Sequence, residues 1–129
     1  MQDAQEVRAV IDAWAAAVRR RDIPAILQNH SPDIVMFDVP PPFQSRGLEA
    51  YRKTWDAFFG WSDRQVAFDI TDIEIVAGAD VAFAFASVRC QTPGPKGEVE
   101  PLEFRLTIGL KKIDGRWTIV HEHHSVPAD

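Results

Sequence analysis

The chain has 129 residues, of which 46% are apolar, 26% charged and 10% aromatic, a composition that indicates a folded domain and excludes an intrinsically disordered chain. Fourteen Lys and Arg residues against nineteen Asp and Glu residues give a formal net charge of -5, the wrong sign for a protein that binds the phosphate backbone of nucleic acids. Because Cys90 is the only cysteine, the sequence also excludes an internal disulfide and a thiolate zinc cluster.

The length predicts a single domain over residues 1–129. The N-terminal residues lack a basic segment followed by an apolar run, and no window approaches the roughly 18 apolar residues of a membrane span. We therefore expect a cytoplasmic protein that binds neither membranes nor nucleic acid.

Helices are predicted in the first half of the chain. Apolar residues recur at three- and four-residue steps up to Val18, which is the spacing of one buried helix face. Asp22 is placed to cap a second, short helix. A strand over residues 34–39 ends at three prolines, and a third helix is predicted from Gly47 to Gly60, where Gly60 adopts the left-handed conformation that ends it.

The second half of the chain predicts four antiparallel strands. In the first of them the apolar residues change parity near Thr71 and Asp72, which predicts a β-bulge there. The other strands are predicted over residues 81–90, 102–112 and 117–124, and Asp114 and Gly115 form the last hairpin turn. The strand over 81–90 is apolar on both faces, so each face needs a cover.

These elements predict an α+β fold in which three N-terminal helices pack on a curved, mostly antiparallel sheet. The sheet forms a cone-shaped α+β barrel with a pocket between its layers. Because the outer face of the sheet is also apolar, we predict a homodimer formed through that face.

Three segments resemble one family. They are Arg-Asp-Ile-Pro-Ala-Ile at the second helix, Val-Met-Phe-Asp-Val-Pro at the first strand, and Asp-Gly-Arg-Trp-Thr-Ile-Val-His-Glu-His near the end. In this order they resemble the nuclear-transport-factor-2-like superfamily over nearly the whole chain, and within it the SnoaL-like, ketosteroid-isomerase-homologue proteins. The last strand is also similar to the association domain of calcium/calmodulin-dependent kinases, which has a similar His-X-His-X-Ser pattern and an Arg like Arg105. This fold hosts both enzymes and assembly modules.

The resemblance to the isomerases implies positions for three functional groups. Their catalytic base falls on Asp38, their acidic oxyanion-hole partner falls near Glu103, and the tyrosine that completes the hole falls on Trp14. An indole lacks an acidic hydroxyl, and a Glu103 beside Arg105 would be ionised and could only accept hydrogen bonds. These departures argue against classical steroid isomerase activity.

Asp38 is the predicted general base. It shares the parity of Ile34 and Met36, which places its carboxylate at the rim of an apolar pocket. Burial there would favour proton transfer. The alternative is a turn residue that hydrogen-bonds the proline-rich loop.

The predicted partners of Asp38 are cationic. Arg105 and Glu103 share one strand face, and His121 and His123 are expected to share the face of Trp117 on the next strand. Arg105 facing two imidazoles would suit a carboxylate or an enolate. A His-X-His metal site is the weaker alternative, and we predict neither a metal nor a cofactor.

An aromatic set is expected to form the walls of a site for a small, apolar or ring-containing ligand, and its members are Trp14, Tyr51, Trp55, Phe58, Phe59 and Trp61. The alternative is an ordinary hydrophobic core. The sequence therefore predicts a small-molecule-binding protein. One version of this hypothesis is a cofactor-independent isomerase or cyclase that uses acid–base catalysis. The alternative is a non-catalytic oligomerisation or ligand-sensing module.

Overall fold

The structure is a computed structural model that describes residues 2–60, 67–93 and 98–128. For residues 92 and 93 it describes the backbone alone. Trp61, one of the predicted pocket walls, lies outside the described residues. Within the described part of the chain, no helix is both long enough and apolar enough to cross a membrane.

The described residues form three helices: α1 (Gln2–Arg19), α2 (Ile23–Ile26) and α3 (Leu48–Gly60). The apolar stripe predicted for α1 is its buried face and includes Val7, Ile11 and Trp14. The side chain of Asp22 accepts a hydrogen bond from the Ala25 N–H and caps α2 as predicted. Gly60 ends α3, but the predicted left-handed conformation is wrong, since Gly47 and Gly115 are the described glycines with positive φ.

In the described ranges, six strands form one sheet: β1 (His30–Phe37), β2 (Ser45–Arg46), β3 (Phe68–Ala77), β4 (Val81–Pro93), β5 (Val99–Ile113) and β6 (Arg116–Ser125). Their order is β2-β1-β6-β5-β4-β3. All neighbours are antiparallel except β1 and β6, which are parallel. The predicted α+β class is confirmed. The sheet is open rather than a closed barrel. The helix α3 follows β1, as the predicted order of elements has it, so the three helices do not all precede the strands, and the short strand β2 between β1 and α3 was not predicted.

The predicted bulge in β3 is confirmed. The register against β4 shifts between Thr71 and Glu74, and Asp72 has a φ of 51°. The extra residue lets Ile70 and Ile73 both pack partly buried against the core. The hairpin turn at Asp114 and Gly115 is also present, with φ values of 51° and 77°.

A second bulge, in β6, changes which residues face inward. Gly109 pairs with His121, whereas the next residue of β5, Leu110, pairs with Ile119. Val120 is therefore the extra residue, and the buried positions change from Trp117 and Ile119 to Glu122 and His124. Because of this one extra residue, the side chains that face the core are odd-numbered before Val120 and even-numbered after it.

Aromatic side chains fill the space between the helices and the sheet. Trp14 is 2% exposed, Trp55 4% and Phe59 7%. The rings of Trp14 and Phe68 meet edge to face at 5.3 Å, and Trp55 lies 6.1 Å from each of them. Over the described residues, the predicted pocket is therefore largely occupied by the protein's own rings.

Candidate functional site

A cluster of polar side chains lies within this aromatic interior. It consists of His30, Tyr51, Glu122 and His124, with Asp38 at its edge, and is called the buried polar cluster below. Tyr51 comes from α3, His30 begins β1, and Glu122 and His124 are the two inward residues that follow the bulge in β6. Elements far apart in sequence therefore bring five hydrogen-bonding groups together.

Glu122 is the centre of this cluster, and its side chain is fully buried. Its Oε2 accepts a hydrogen bond of 2.7 Å from the Tyr51 hydroxyl and lies 2.9 Å from Nε2 of His30. Its Oε1 lies 3.2 Å from Nε2 of His124. Burial by itself would raise the pKa of Glu122, but the hydrogen bonds and charges of His124 and His30 outweigh it and lower that pKa to about 2.

His124 lies between two carboxylates. Its Nδ1 is 3.5 Å from Oδ1 of Asp38, on the opposite side of the ring from Glu122. Burial opposes protonation, but Asp38 and Glu122 outweigh it and raise the pKa of His124 to about 9. The ring also stacks on Phe104 at 5.1 Å. At neutral pH the interior therefore holds an imidazolium beside the partly exposed Asp38.

Tyr51 and Trp14 use their polar groups within the protein. The indole Nε1–H of Trp14 donates to the Tyr51 hydroxyl over 2.9 Å, and that hydroxyl donates to Glu122. Burial and the Glu122 charge raise the pKa of Tyr51 well above its ordinary value, so the phenol stays protonated. Neither of these predicted substrate-binding residues keeps a spare donor, because an indole and a phenol have one each.

His30 fixes one end of the cluster. Its Nδ1 donates to the backbone oxygen of Gln28 over 2.8 Å, since a carbonyl can only accept. Nε2 then faces Glu122 and lies 3.2 Å from the Tyr51 oxygen. The His30 ring stacks on Tyr51 at 5.0 Å, which holds both rings in place.

Asp38 lies just beyond the end of β1, where the exposed fraction of its side chain is 23%. Its Oδ1 accepts a hydrogen bond of 2.8 Å from the Val39 N–H and also faces His124. Both contacts use Oδ1, which leaves Oδ2 without a partner among the described residues. The structure thus combines both sequence interpretations of Asp38, a turn residue and a carboxylate at the edge of the interior.

The remaining predicted wall residues within the described ranges lie on α3. Phe59 is buried and Phe58 is partly buried, and their rings lie 5.8 and 5.7 Å from the Trp55 ring. Trp55 is buried as well, and its Nε1 has no hydrogen-bond partner within the part of the chain that the structure describes. An unpaired buried donor is uncommon in folded proteins.

Arg105 and Glu103 lie on the outer, exposed face of β5. Arg105 donates from Nε to the Ser125 hydroxyl over 3.1 Å, and Glu103 lies 3.4 Å from a guanidinium nitrogen of Arg89. The predicted convergence of Arg105 with Asp38 inside the fold is therefore wrong, because the inward positions of β5 belong to the alternate, apolar residues.

The sequence predicts His121 and His123 on the face of Trp117, and this prediction is wrong because of the bulge at Val120. His121 is partly buried and donates from Nδ1 to the Val35 carbonyl over 2.6 Å, while His123 is exposed. The Phe37 ring meets His121 at 4.8 Å and His123 at 5.3 Å. Both imidazoles therefore belong to the outer side of the sheet.

A surface cleft of about 490 Å³ lies beneath the proline-rich loop. Phe37, Asp38 and His123 border it, together with residues 39–44. Asp38 thus adjoins both this cleft and the buried polar cluster, and among the predicted residues His123 is the one that shares a cavity with it. Within the described ranges, no three His, Cys, Asp or Glu side chains are arranged to hold a metal ion.

Sequence reasoning missed His30, Glu122 and His124 as site residues. Strict alternation along β6 predicts the wrong face for each side chain after Val120, because Val120 is an extra residue in the pairing with β5. A signal was available in Gly109, because a glycine inside a strand often marks a bulge. Nothing in the local sequence around His30 distinguishes it from an ordinary buried residue.

Comparison with known proteins places this geometry in a family. The model of the SnoaL-like domain matches residues 7–129. An NTF2-like protein of unknown function from Pseudomonas putida is 34% identical, covers 98% of this chain and 87% of its own, and superposes with a TM-score of 0.88. No curated protein matches the chain.

Two further solved structures share the fold. A ketosteroid isomerase-like protein from Erwinia carotovora atroseptica is 21% identical, with 97% and 98% of the two chains covered and a TM-score of 0.78. A putative calcium/calmodulin dependent protein kinase II association domain from Xanthomonas campestris is 20% identical, with 96% and 87% covered and a TM-score of 0.75. Because the family model spans nearly the whole sequence, the chain belongs to the SnoaL-like domain family of NTF2-like proteins.

Proposed function

We propose that this protein binds a small, largely apolar molecule and moves a proton on it without a cofactor, with Asp38 as the base and His124 as the neighbouring cation. The observation that carries the proposal is the 3.5 Å contact between Asp38 and the His124 imidazole, next to the buried Glu122. A pair with these properties is typical of acid–base sites.

The cost of burying these groups supports a functional role. Ionised side chains lose several kcal/mol on transfer from water into a protein interior, and a well-packed apolar cluster is often at least as stable. Here two imidazoles and a carboxylate lie within a core of tryptophan and phenylalanine rings. Folding stability therefore does not account for this arrangement. A functional role does account for it, because such a cluster stores a proton and holds a positive charge in a fixed position.

In the proposed step, a C–H bond next to a substrate carbonyl breaks and its proton passes to Oδ2 of Asp38. The electron pair moves to the carbonyl oxygen and forms an enolate. Return of this proton from Asp38 to a different carbon of the enolate system completes an isomerisation, whereas replacement of the Asp38 proton by one from solvent before its return completes a hydrogen exchange at the original carbon. His124 remains an imidazolium throughout, so its charge stabilises the negative charge that develops.

The test is solvent deuterium exchange into small ketones that a thermal-shift screen identifies as ligands. Asp38→Asn removes the base, and loss of an acid–base group typically lowers the rate by about 10² to 10⁴-fold. Asp33→Asn is the matched control, because it makes the same change on an exposed side chain of β1. Exchange that is equal in both variants and the wild type would refute the proposal.

A second candidate function is assembly, with or without ligand sensing. The close packing of Trp14, Trp55 and Phe59 favours it, because a filled interior is what an assembly module needs. The exposed large apolar residues also favour it. Every one in the described ranges lies on the outer face of the sheet or in the proline-rich loop: Val39, Phe43, Val76, Val81, Phe83, Phe85, Val99 and Ile113.

We propose that a second copy of the chain covers this outer face. Strands in a sheet lie about 4.8 Å apart and rise about 3.3 Å per residue. On this basis, the outer face of the four long strands and the adjoining loop has an area of roughly 700 to 900 Å². Specific dimers bury about 800 Å² on each partner. The parallel Phe83 and Phe85 rings, 6.3 Å apart, would form the centre of such an interface.

A further inference from the structure

The cleft beneath the proline-rich loop is large enough to hold a small organic molecule. Its volume is about 490 Å³, and small-molecule sites usually have about 300 to 1,000 Å³. The cleft is bordered by Phe37 and His123, which pair across β1 and β6 and lie on the outer side of the sheet. It is therefore separate from the interior that Trp14, Trp55 and Phe59 fill.

The loop above the cleft offers few hydrogen-bond donors. Residues 40–42 are prolines, which have no N–H and keep a carbonyl that can only accept a hydrogen bond. The N–H of Val39 is already donated to Oδ1 of Asp38 over 2.8 Å. The backbone of this loop is therefore richer in acceptors than in donors.

Asp38 adds a carboxylate oxygen to these acceptors. It borders the cleft, although most of its side chain is covered by protein. Its Oδ1 meets the Val39 N–H and the His124 ring, whereas Oδ2 has no partner among the described residues. A carboxylate oxygen forms its strongest hydrogen bonds with donors that carry a positive charge. The free oxygen of Asp38 thus favours a cationic N–H group in the cleft.

The rest of the cleft suits a flat apolar body. Phe37 and Phe43 contribute aromatic rings, and the three prolines contribute rigid apolar rings. Phe43 is 95% exposed, so the faces of its ring are open to contact with another molecule. Aromatic faces also attract cations, because the ring quadrupole is negative there. The rings and the acceptors therefore favour the same kind of ligand.

We infer that this cleft binds an organic cation with a flat apolar body, namely an aryl amidinium or aryl ammonium ion. Its charged N–H groups donate to Oδ2 of Asp38, and its ring packs against Phe37, Phe43 and the prolines. An anion of the same shape meets the carboxylate and the acceptor-rich loop instead. The inference goes beyond the proposed function, because a cation held on Oδ2 occupies the base and inhibits proton transfer.

Three probes of nearly equal shape test the inference. Benzamidine is a cation at pH 8, benzamide is neutral and benzoate is an anion. We expect the wild type to bind benzamidine at least about fivefold more tightly than benzamide, because its N–H groups carry the charge that benzamide lacks. Benzoate should bind most weakly. Isothermal titration calorimetry at constant ionic strength measures all three affinities.

Two variants with the same change in net charge locate the cation. Asp38→Asn should remove the preference for benzamidine over benzamide. Asp33→Asn should retain it, because Asp33 is an exposed residue of β1 that does not border the cleft. A preference that survives in Asp38→Asn, or one that disappears equally in both variants, would overturn the inference.

A measurement on the wild type guards against a folding defect in Asp38→Asn. The backbone amide resonance of Val39, which reports on the Asp38 carboxylate, should shift when benzamidine is added and move less with benzoate. Equal affinity for benzamidine and benzamide, no binding of benzamidine at millimolar concentration, or tighter binding of benzoate would overturn the inference. Binding of benzamidine that leaves the Val39 resonance in place would also overturn it.

These results are separable from the fate of the proposed function. Binding of benzamidine that depends on Asp38, in a protein that catalyses no deuterium exchange, would support the cation site and refute the proton transfer. Exchange that depends on Asp38 and that saturating benzamidine leaves unchanged would support the proton transfer and refute the cation site.

Discussion

Asp38 and His124 face each other across 3.5 Å at the boundary between the buried core and the surface. The contact depends on the bulge at Val120, because without the extra residue His124 would point to the outer face. Glu122 holds the far side of the same imidazole. A single inserted residue in β6 thus determines the position of the charged group on which the proposed chemistry depends.

The stability of the protein should fall as the medium becomes alkaline. The pKa of His124 is raised from 6.5 to about 9, so its contribution is complete below pH 6.5 and is lost as the pH rises through 9. A shift of this size corresponds to a free energy of unfolding on the order of 3 kcal/mol. Urea unfolding between pH 6 and 10 should show this loss in the wild type, and a His124→Gln variant should give a flatter profile. Equal slopes would contradict the assignment.

The free energy of unfolding should also fall in acid, because Glu122 then becomes protonated. The pKa of Glu122 is lowered from 4.5 to about 2, so its contribution is present above pH 4.5 and is lost as the pH falls towards 2. At pH 7, Glu122→Gln leaves His30 and His124 without their shared carboxylate and should cost about 3 to 5 kcal/mol. Glu103→Gln, an exposed change of the same kind, should cost less than about 1 kcal/mol. Similar denaturation midpoints for both variants would refute a central role for Glu122.

Cys90 should be unreactive in the folded protein. Burial and the nearby Asp38 charge raise the pKa of its thiol to about 11, and the residue is 3% exposed. Ellman's reagent at pH 8 should therefore modify the native protein far more slowly than the urea-unfolded chain. Rapid, complete labelling without denaturant would show that the inner side of β4 opens readily, in conflict with the packed interior described above.

The outer face of the sheet should mediate self-association. Phe83→Glu places a charge within the exposed apolar surface and should convert a dimer into a monomer at micromolar concentration, as measured by light scattering after size exclusion. Lys53→Glu, on an exposed position of α3, is a control that should leave the oligomeric state unchanged. A monomeric wild type, or a dimer that tolerates Phe83→Glu, would argue against the proposed interface.

Most of the fold could be predicted from the sequence, because its main patterns are periodic. The apolar stripe that includes Val7 and Ile11 indicated α1, and the parity change around Thr71 indicated the bulge in β3. The bulge in β6 was not predictable in the same way. After Val120, both faces of the strand carry histidines. Either face could therefore point inward without changing the pattern of apolar residues, so the sequence gives no sign that an extra residue is present at Val120.

The site could be predicted only in part. The parity of Asp38 with Ile34 and Met36 placed its carboxylate at the edge of the interior, where the structure has it. His30 and Glu122 are 92 positions apart and meet only through the parallel pairing of β1 with β6. Sequence spacing contains no information about such a contact. The tryptophans could be recognised as core, but not which indole would lack an acceptor.

The protonation of His124 is the most direct test of the account. Side-chain ¹⁵N chemical shifts measured from pH 5 to 10 should show an imidazolium that persists beyond pH 8 in the wild type and titrates at lower pH in Asp38→Asn. A His124 ring that titrates near 6.5 in both proteins would contradict the charged pair and remove the basis for proton transfer at Asp38.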